Sequence, residues 1–184
     1  LLEKLDSYDP LQKSECILFQ KAKTHFGIPI KGVLHIGSSI GEEIRFYEAE
    51  KVEKITYVDA NPIVVEALRQ RLFKELPSIE ITTHCFAAVS EEKELELNIT
   101  SNIKSSSLLE LSKHKTDYPS ITHVGKLKVQ GKRIDDVLST EEMKDINCMV
   151  LDVQCGEYDA LIGCGDLLDQ IDVIISEVTF YELY

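Results

Sequence analysis

The chain has 184 residues, of which 43 % are hydrophobic and 28 % are charged, and its formal net charge is −12. This is the composition of a globular domain that is large enough to bury a sizeable core. The acidic charge argues against nucleic acid as a partner because phosphates repel it, and no apolar run approaches the ~20 residues that span a bilayer.

The cysteines and the start of the chain bear on its compartment. The five cysteines form no Cys-x-x-Cys pair, and their odd count and scattered spacing are typical of reduced thiols. No signal-peptide pattern is present at the start. The chain begins Leu1-Leu2 rather than with Met, which leaves open a leader removed before Leu1. We therefore expect a cytoplasmic protein.

The first half of the chain alternates helices and apolar strands. Residues 11–25 carry apolar side chains near helical spacing and predict a first helix, which Gly27 and Pro29 end. The predicted strands of this half cover residues 33–37, 55–59 and 79–89. The predicted helices between them cover residues 41–50 and 63–76.

The middle of the chain departs from this alternation. Residues 95–99 and 126–130 alternate apolar and polar side chains, which predicts exposed strands. Residues 100–123 between them are polar and include three consecutive serines, and a loop of this length is typical of a functional lid or of disorder. Short helical pieces are predicted over residues 134–145.

Order returns near the end of the chain. Residues 148–152 and 173–178 are apolar runs that contain an acid near their ends, and a helix is predicted over residues 157–168. Continuous apolar runs indicate strands that are covered on both faces, so the sequence predicts a Rossmann-like α/β fold with a doubly wound, mostly parallel sheet. Such a sheet normally has further strands after the fifth, so we expect it to be incomplete at the C-terminus.

Several polar residues fall at the ends of predicted strands. Gly37, Asp59 and Asp152 each end one strand, and Glu177 lies near the end of another. In an open parallel sheet the ligand crevice lies outside these carboxyl ends. An acid 18 residues after Gly41, as Asp59 is, is typical of a carboxylate that accepts hydrogen bonds from ribose hydroxyls. The pattern predicts a nucleoside cofactor, and the row of carboxylates suits a cationic one.

The turn after the first strand distinguishes two such cofactors. A dinucleotide site has Gly-x-Gly-x-x-Gly, whereas residues 37–41 keep only two of the three glycines. Glu42 and Glu43 then repel a pyrophosphate but attract an ammonium or a sulfonium. The local charge favours S-adenosylmethionine, and an NAD(P)-dependent oxidoreductase is the alternative.

Ordered motifs resemble a known family. Residues 35–43 and 58–62 are similar to the cofactor motifs of class I S-adenosylmethionine-dependent methyltransferases. Residues 151–165 resemble the Ile-Asp-Val-Glu/Gln-Gly-Ala-Glu…Leu-x-Gly-Ala signature of the FkbM family. Residues 133–138 resemble its Thr-Leu-Asp-Asp segment, and residues 105–108 its serine-rich stretch.

The resemblance implies O-methylation of a hydroxyl on a small metabolite, such as a sugar or a polyketide, with S-adenosylmethionine as cofactor. The sequence pattern predicts an N-terminal helical segment over residues 1–30 and a polar insertion at about residues 99–130, and the resemblance implies an S-adenosylmethionine-binding methyltransferase domain over residues 31–184. The spacing of His and Cys shows no metal-ligand cluster. The oligomeric state is not defined by the sequence.

Candidate roles follow for individual residues. The candidate catalytic residues are Asp152, Glu157, Glu177 and His123. The candidate cofactor-binding residues are His35, Gly37, Ser38, Ser39, Gly41, Glu42, Asp59, Ala60, Asn61, Phe86, Ala87, Ser106, Asp152, Val153 and Gln154.

Some of these residues also suit purely structural roles. Asp59 suits the N-cap of the helix that follows it, and Glu157 suits a capping position at a helix entry. His123 also suits an exposed surface position. His35 stands where many methyltransferases have an acid, and Cys155-Gly156 replaces Gly-Ala. These departures leave a third alternative, a non-catalytic scaffold that has kept the fold.

Overall fold

The computed structural model describes residues 14–102, 106–109 and 120–178. Its strands are β1 (Gly32–Ile36), β2 (Lys54–Asp59), β3 (Glu80–Cys85), β4 (Ala87–Ala88), β5 (Lys93–Thr100), β6 (His123–Lys132), β7 (Ile146–Leu151) and β8 (Val173–Ser176). Its helices are α1 (Ser14–Thr24), α2 (Ile44–Ala49), α3 (Pro62–Glu75), α4 (Ile134–Val137), α5 (Thr140–Met143), α6 (Glu157–Cys164) and the 3-10 helix Gly165–Gln170.

Five strands form a parallel sheet in the order β3-β2-β1-β7-β8. All five residues of β1 are buried, which explains its continuous apolar run. Chain order reverses between β1 and β7, so the crevice of a doubly wound sheet lies at the carboxyl ends of these two strands. The Rossmann-like α/β fold predicted from the sequence is confirmed.

Alternate residues of the sheet pack against two layers of helices. On one face, Val33 and Tyr57 share a core with Phe19 of α1, Tyr47 of α2 and Leu68 of α3. On the other face, Leu34, Val58 and Met149 of the sheet share a core with the three helices α4, α5 and α6. These helices contribute Ile134, Met143 and Ala160. The sheet is therefore covered on both sides, as the apolar strands predict.

β8 departs from this pattern. Ile174 in this strand is 47 % exposed, whereas the sequence predicts a strand that is covered on both faces. The reason is its position, because β8 lies at the edge of the sheet among the described residues.

A smaller second sheet has the order β4-β6-β5. β5 and β6 pair antiparallel, and β4 pairs parallel with β6. The single strand predicted over residues 79–89 is divided between the two sheets, because β3 ends at Cys85 and β4 belongs to the second sheet. Between them, Phe86 donates its backbone N–H to the carbonyl of Asp59 at 3.1 Å. The sequence predicts β5 and β6 as separate exposed strands but not their pairing.

Parts of several predicted segments lie outside the described residues. These parts are residues 1–13, 103–105, 110–119 and 179–184. No helix among the described residues has the length and apolar character needed to cross a membrane.

Candidate functional site

A cleft opens at the carboxyl ends of β1, β2 and β7. It encloses about 970 Å³ when the open solvent at its mouth is included. Most of the predicted cofactor residues line it. They are His35, Gly37, Ser38, Ser39, Glu42, Asp59, Ala60, Asn61, Phe86, Ala87, Ser106, Asp152, Val153 and Gln154.

The turn after β1 forms the floor of this cleft. Gly37 and Ser38 donate their backbone N–H groups to the carbonyl of Val58 at 2.8 and 3.2 Å. Gly37 has a φ of +80°, and a Cβ there would lie 1.8 Å from the carbonyl oxygen of Asp152. Only glycine therefore allows the end of β1 to approach the loop after β7.

Gly41 is the predicted cofactor residue that the structure does not bring to the cleft lining. It has a φ of +65°, and a Cβ there would lie 2.7 Å from Cδ1 of Leu68. It packs the turn against α3 and does not line the cleft, and its predicted contact with the cofactor stays a prediction.

Asp59 holds the two sides of the cleft together. Its Oδ2 accepts a hydrogen bond from the backbone N–H of Ser39 at 3.0 Å, and its Oδ1 accepts one from that of Asn61 at 2.9 Å. Burial raises the pKa of its carboxyl to about 6, although both backbone hydrogen bonds lower it.

The N-cap of α3 is Asn61 and not Asp59. The side chain of Asn61 accepts a hydrogen bond from the backbone N–H of Ile63 at 3.0 Å. The carboxylate of Asp59 is therefore not used as a cap for this helix and lines the cleft instead.

Several buried polar atoms in the cleft have no hydrogen-bond partner within the described residues. They include Oγ of Ser38, Oγ of Ser39 and Nδ2 of Asn61. Buried polar atoms are rarely left without a partner, so each one indicates a group that is supplied by a ligand or by water. The hydroxyls and the amino-acid part of S-adenosylmethionine carry both donors and acceptors, and the residues present fit that group.

His35 belongs both to the cleft and to the core beneath it. Its side chain is 4 % exposed, and its Nδ1 lies 3.2 Å from the hydroxyl oxygen of Tyr47. Its ring also packs against that of Tyr57. His35 therefore packs in the core and also lines the cleft.

The charge of the cleft is negative. Glu42 and Glu43 are both buried and line it together with Asp59 and Asp152. Glu43 adds to burial in raising the pKa of the Tyr47 hydroxyl well above its ordinary value. No lysine or arginine is found among the described residues that line the cleft.

Asp152 follows β7 and lines the cleft, whereas Glu177 follows β8, is exposed and does not line it. Nε2 of Gln154 donates to Oδ1 of Asp152 at 2.6 Å and to Oε2 of Glu177 at 3.0 Å. Partial burial, together with the nearby charge of Asp152, raises the pKa of Glu177 to about 7. Ser107, which belongs to the polar insertion, contacts the loop after β7, because its hydroxyl donates a hydrogen bond to the carbonyl of Gln154 at 2.8 Å.

Besides Glu177, the predicted catalytic residues Glu157 and His123 also lie outside the cleft lining. Oε1 of Glu157 accepts the backbone N–H groups of Val153 at 3.0 Å and Cys155 at 3.3 Å, so it stabilises the turn before α6 and does not line the cleft. His123 begins β6, where it is exposed and pairs in register with Thr100. The sequence predicts His123 at the end of the polar loop of residues 100–123, whereas in the structure it pairs at the start of β6 in the second sheet.

Sequence reasoning missed several cleft residues. They include Glu15, which enters from α1, and Leu97, which comes from β5. Neither residue carries a local signal, because both reach the cleft through the packing of distant segments. Glu43, Ser107 and Leu108 also line the cleft, and the sequence singles out the segments that contain them. Within the described residues, no group of His, Cys, Asp and Glu side chains is arranged to hold a metal ion.

Comparisons with known proteins add the family. The protein YcgJ from Bacillus subtilis aligns at 18 % identity over 39 % of this chain and 30 % of its own, with a TM-score of 0.30. YjhP from E. coli aligns at 11 % identity over 48 % of this chain and 36 % of its own, with a TM-score of 0.32. The matches thus span about a third of each of these solved structures, and neither bears on the function of this chain.

No curated protein sequence matches the chain significantly. The model of the methyltransferase FkbM domain matches residues 35–184, which is most of the chain. The chain therefore belongs to the FkbM methyltransferase family.

Proposed function

We propose that this protein uses S-adenosylmethionine to methylate a hydroxyl group on a small molecule, such as a sugar or a polyketide. The observation that carries the proposal is the half-buried Asp59, which lines a cleft together with polar atoms that have no protein partner among the described residues. A carboxylate in this position at the end of β2 suits ribose hydroxyls. The five cysteines are all free, which supports a cytoplasmic location.

The cofactor would lie across the end of the sheet. Asp59 would accept hydrogen bonds from the ribose hydroxyls, and the side chains of Ser38 and Asn61 would find their missing partners there. Phe86 and Ala87 offer apolar surface for the adenine. The acids Glu42 and Asp152 favour the positive charge that S-adenosylmethionine carries.

When bound, S-adenosylmethionine supplies a methyl group on a sulfonium, which a hydroxyl oxygen displaces in line. The contribution of the chain is then mostly positioning and exclusion of water. Leu97 and Leu108 line the cleft from the second sheet and the insertion, and they provide the apolar wall for that purpose.

Removal of the hydroxyl proton requires a nearby acceptor. Asp152 lines the cleft, and Glu177 is joined to it through Gln154. A carboxyl with a pKa of about 7, as Glu177 has, is well matched to accept a proton near neutral pH. We assign this role to the pair, with Asp152 closer to the acceptor.

A nicotinamide cofactor is disfavoured by the same charges. A diphosphate in this cleft would face Glu42 and Glu43 without a lysine or arginine among the described lining residues. Repulsion between the negative diphosphate and these carboxylates weakens binding. An oxidoreductase would be favoured by a cationic or glycine-rich cradle for the phosphates. The described part of the cleft contains no such cradle.

Titration calorimetry tests the proposal. Wild-type protein is titrated with S-adenosylhomocysteine and, separately, with NAD. We expect heat of binding from the first and none from the second. Heat from NAD alone supports the oxidoreductase, and no heat from either ligand supports a scaffold whose pocket is not used. Transfer of labelled methyl from S-adenosylmethionine to a panel of sugar and polyketide alcohols then tests the reaction.

A further inference from the structure

Ser107 is buried between the second sheet and the loop after β7. It is 2 % exposed, and its backbone forms an antiparallel bridge with Asn98 of β5 through hydrogen bonds of 2.8 and 3.2 Å. Nδ2 of Asn98 also donates to the carbonyl oxygens of Ser107 at 3.4 Å and Leu109 at 3.0 Å. This part of the polar insertion is therefore attached firmly to the second sheet.

The hydroxyl of Ser107 is used within the protein. It donates its hydrogen to the carbonyl oxygen of Gln154 at 2.8 Å and accepts the backbone N–H of Leu109 at 3.1 Å. A hydroxyl has a single hydrogen, so Ser107 cannot donate to a ligand while it holds Gln154. Although Ser107 lines the cleft, its hydroxyl thus acts on the loop after β7.

The part of the loop that Ser107 holds has an unfavourable backbone conformation. Gln154 has a φ of +56° and Cys155 a φ of +74°, and neither residue is a glycine. A side chain destabilises this left-handed conformation, so it persists only where surrounding contacts hold it. The hydrogen bond from Ser107 is one of these contacts, and the two that Oε1 of Glu157 accepts at the same turn are others.

The backbone conformation of Gln154 sets the direction of its side chain. Its Nε2 donates to Oδ1 of Asp152 at 2.6 Å, and both residues line the cleft. In the proposed function, Asp152 lies beside the positive charge of the cofactor and close to the methyl acceptor. A chain of hydrogen bonds therefore runs from β5 through Ser107 and Gln154 to a carboxylate of the cleft.

We propose that Ser107 is a positioning residue for methyl transfer. Its hydroxyl holds the left-handed turn at Gln154, and that turn fixes the carboxylate of Asp152 relative to the positive sulfur of the methyl donor. The inference rests on the proposed function and gives the polar insertion a part in it. Such a contact matters because a displacement of about 1 Å among the groups around the reacting atoms is enough to slow a reaction strongly.

Two ligands that differ at the sulfur test the inference without a methyl acceptor. S-adenosylmethionine has a positive sulfonium, whereas S-adenosylhomocysteine lacks the methyl group and this charge. The ratio of their dissociation constants, measured by titration calorimetry, reports the charge around the sulfur, because a general loss of packing lowers both affinities alike. A carboxylate that moves ~1 Å further from a cation at about 5 Å attracts it less, so we expect Ser107→Ala to lower the preference for S-adenosylmethionine about two- to threefold.

Matched variants assign the effect to the hydroxyl and to its route. Ser107→Thr keeps a hydroxyl and should retain the preference of the wild type. Ser101→Ala is the control, because Ser101 also donates its hydroxyl to a backbone carbonyl, that of Ser120 at 3.4 Å, but does not line the cleft. When Ser107→Ala is added to Asp152→Asn, the preference should change no further.

Gln154→Gly interrupts the same chain of hydrogen bonds at the loop. Glycine adopts a positive φ without strain, so the turn can form, but the amide that holds Asp152 is lost. We expect the preference for S-adenosylmethionine to fall as it does in Ser107→Ala. This variant also decides the question if Ser107→Ala does not fold, because an unchanged preference in Gln154→Gly overturns the inference.

The outcomes separate this inference from the proposed function. An unchanged ratio in Ser107→Ala, or the same loss of preference in Ser101→Ala or Ser107→Thr, overturns the role of the Ser107 hydroxyl and leaves the proposed function in place. A further loss when Ser107→Ala is added to Asp152→Asn overturns the route through Asp152. Wild-type protein that binds neither ligand overturns the proposed function, and the inference with it.

Discussion

The carboxylate of Asp59 accepts the backbone N–H of Ser39 at 3.0 Å, and this bond joins the end of β2 to the turn after β1. The other carboxylate oxygen accepts the N–H of Asn61 at 2.9 Å. Each oxygen keeps one further lone pair, so the side chain can receive two ligand hydroxyls without losing either bond. Asp59 thus shapes the cleft and remains able to bind a ligand.

Replacement of Asp59 tests whether its carboxylate binds the ligand as well as shaping the cleft. Hydrogen bonds to a charged group contribute about 1.5–3 kcal/mol each, so we expect Asp59→Ala to weaken the binding of S-adenosylhomocysteine by about tenfold or more. Titration calorimetry measures the change, and Glu92→Gln, which removes an exposed acid outside the cleft lining, serves as the control. An unchanged dissociation constant in a variant that still unfolds cooperatively would remove Asp59 from the binding site.

The pKa of Asp59 predicts how binding depends on pH. Ribose hydroxyls donate to the ionised carboxylate, so binding favours the deprotonated form. With a pKa of about 6 in the free protein, the dissociation constant for S-adenosylhomocysteine should be about fourfold higher at about pH 5.5 than at about pH 7.5. Asp59→Asn should abolish this dependence. Glu177→Gln, which removes another carboxyl with a raised pKa, should keep it. Equal slopes in wild type and Asp59→Asn contradict the assignment.

The same shift has an effect on folding stability with a defined sign. The pKa of Asp59 is raised in the folded protein, so the folded state binds the proton more tightly than the unfolded chain. The stabilisation by protonated Asp59 is complete below the unfolded pKa and is lost as pH rises through about 6. A ligand that donates hydrogen bonds to the carboxylate reverses this loss.

The fold and the centre of the site could be predicted because their signals are local. A buried parallel strand is a run of apolar residues, and the residue after it lies at the ligand end of the sheet whatever the rest of the chain does. Gly37, Asp59 and Asp152 were found in this way. The match between their strand ends and the observed cleft needed no knowledge of distant contacts.

The remaining residues could not be predicted because their positions depend on long-range packing. Glu15 lines the cleft only because α1 packs on the sheet, and Leu97 only because β5 pairs with a strand that follows a long insertion. Gly41 illustrates a different limit. A glycine that makes room for a ligand and one that makes room for Leu68 have the same sequence pattern.

Gly37 is expected to tolerate no side chain. In Gly37→Ala the residue must keep a left-handed φ, and its Cβ would overlap the carbonyl of Asp152. We expect a loss of about 2 kcal/mol or more in the free energy of unfolding, measured by urea denaturation. Gly27→Ala is the matched control because Gly27 also has a positive φ but nothing within 4 Å of the added Cβ. Equal losses in the two variants would show that strain alone, without the close approach to Asp152, explains the effect.

Glu157 is expected to act on stability through the turn that carries the acceptor side of the cleft. Its Oε1 accepts two backbone N–H groups of that turn, and one of them belongs to Cys155, which has a φ of +74°. Glu157→Ala removes both bonds and should lower the free energy of unfolding by about 1–2 kcal/mol, since the side chain is only partly buried. Glu157→Gln keeps an acceptor oxygen and should lose less than half as much. Thermal and urea denaturation of the two variants measure the difference. If both variants unfold like the wild type, the turn does not depend on this side chain, and the original assignment of Glu157 to catalysis would need to be tested by methyl transfer.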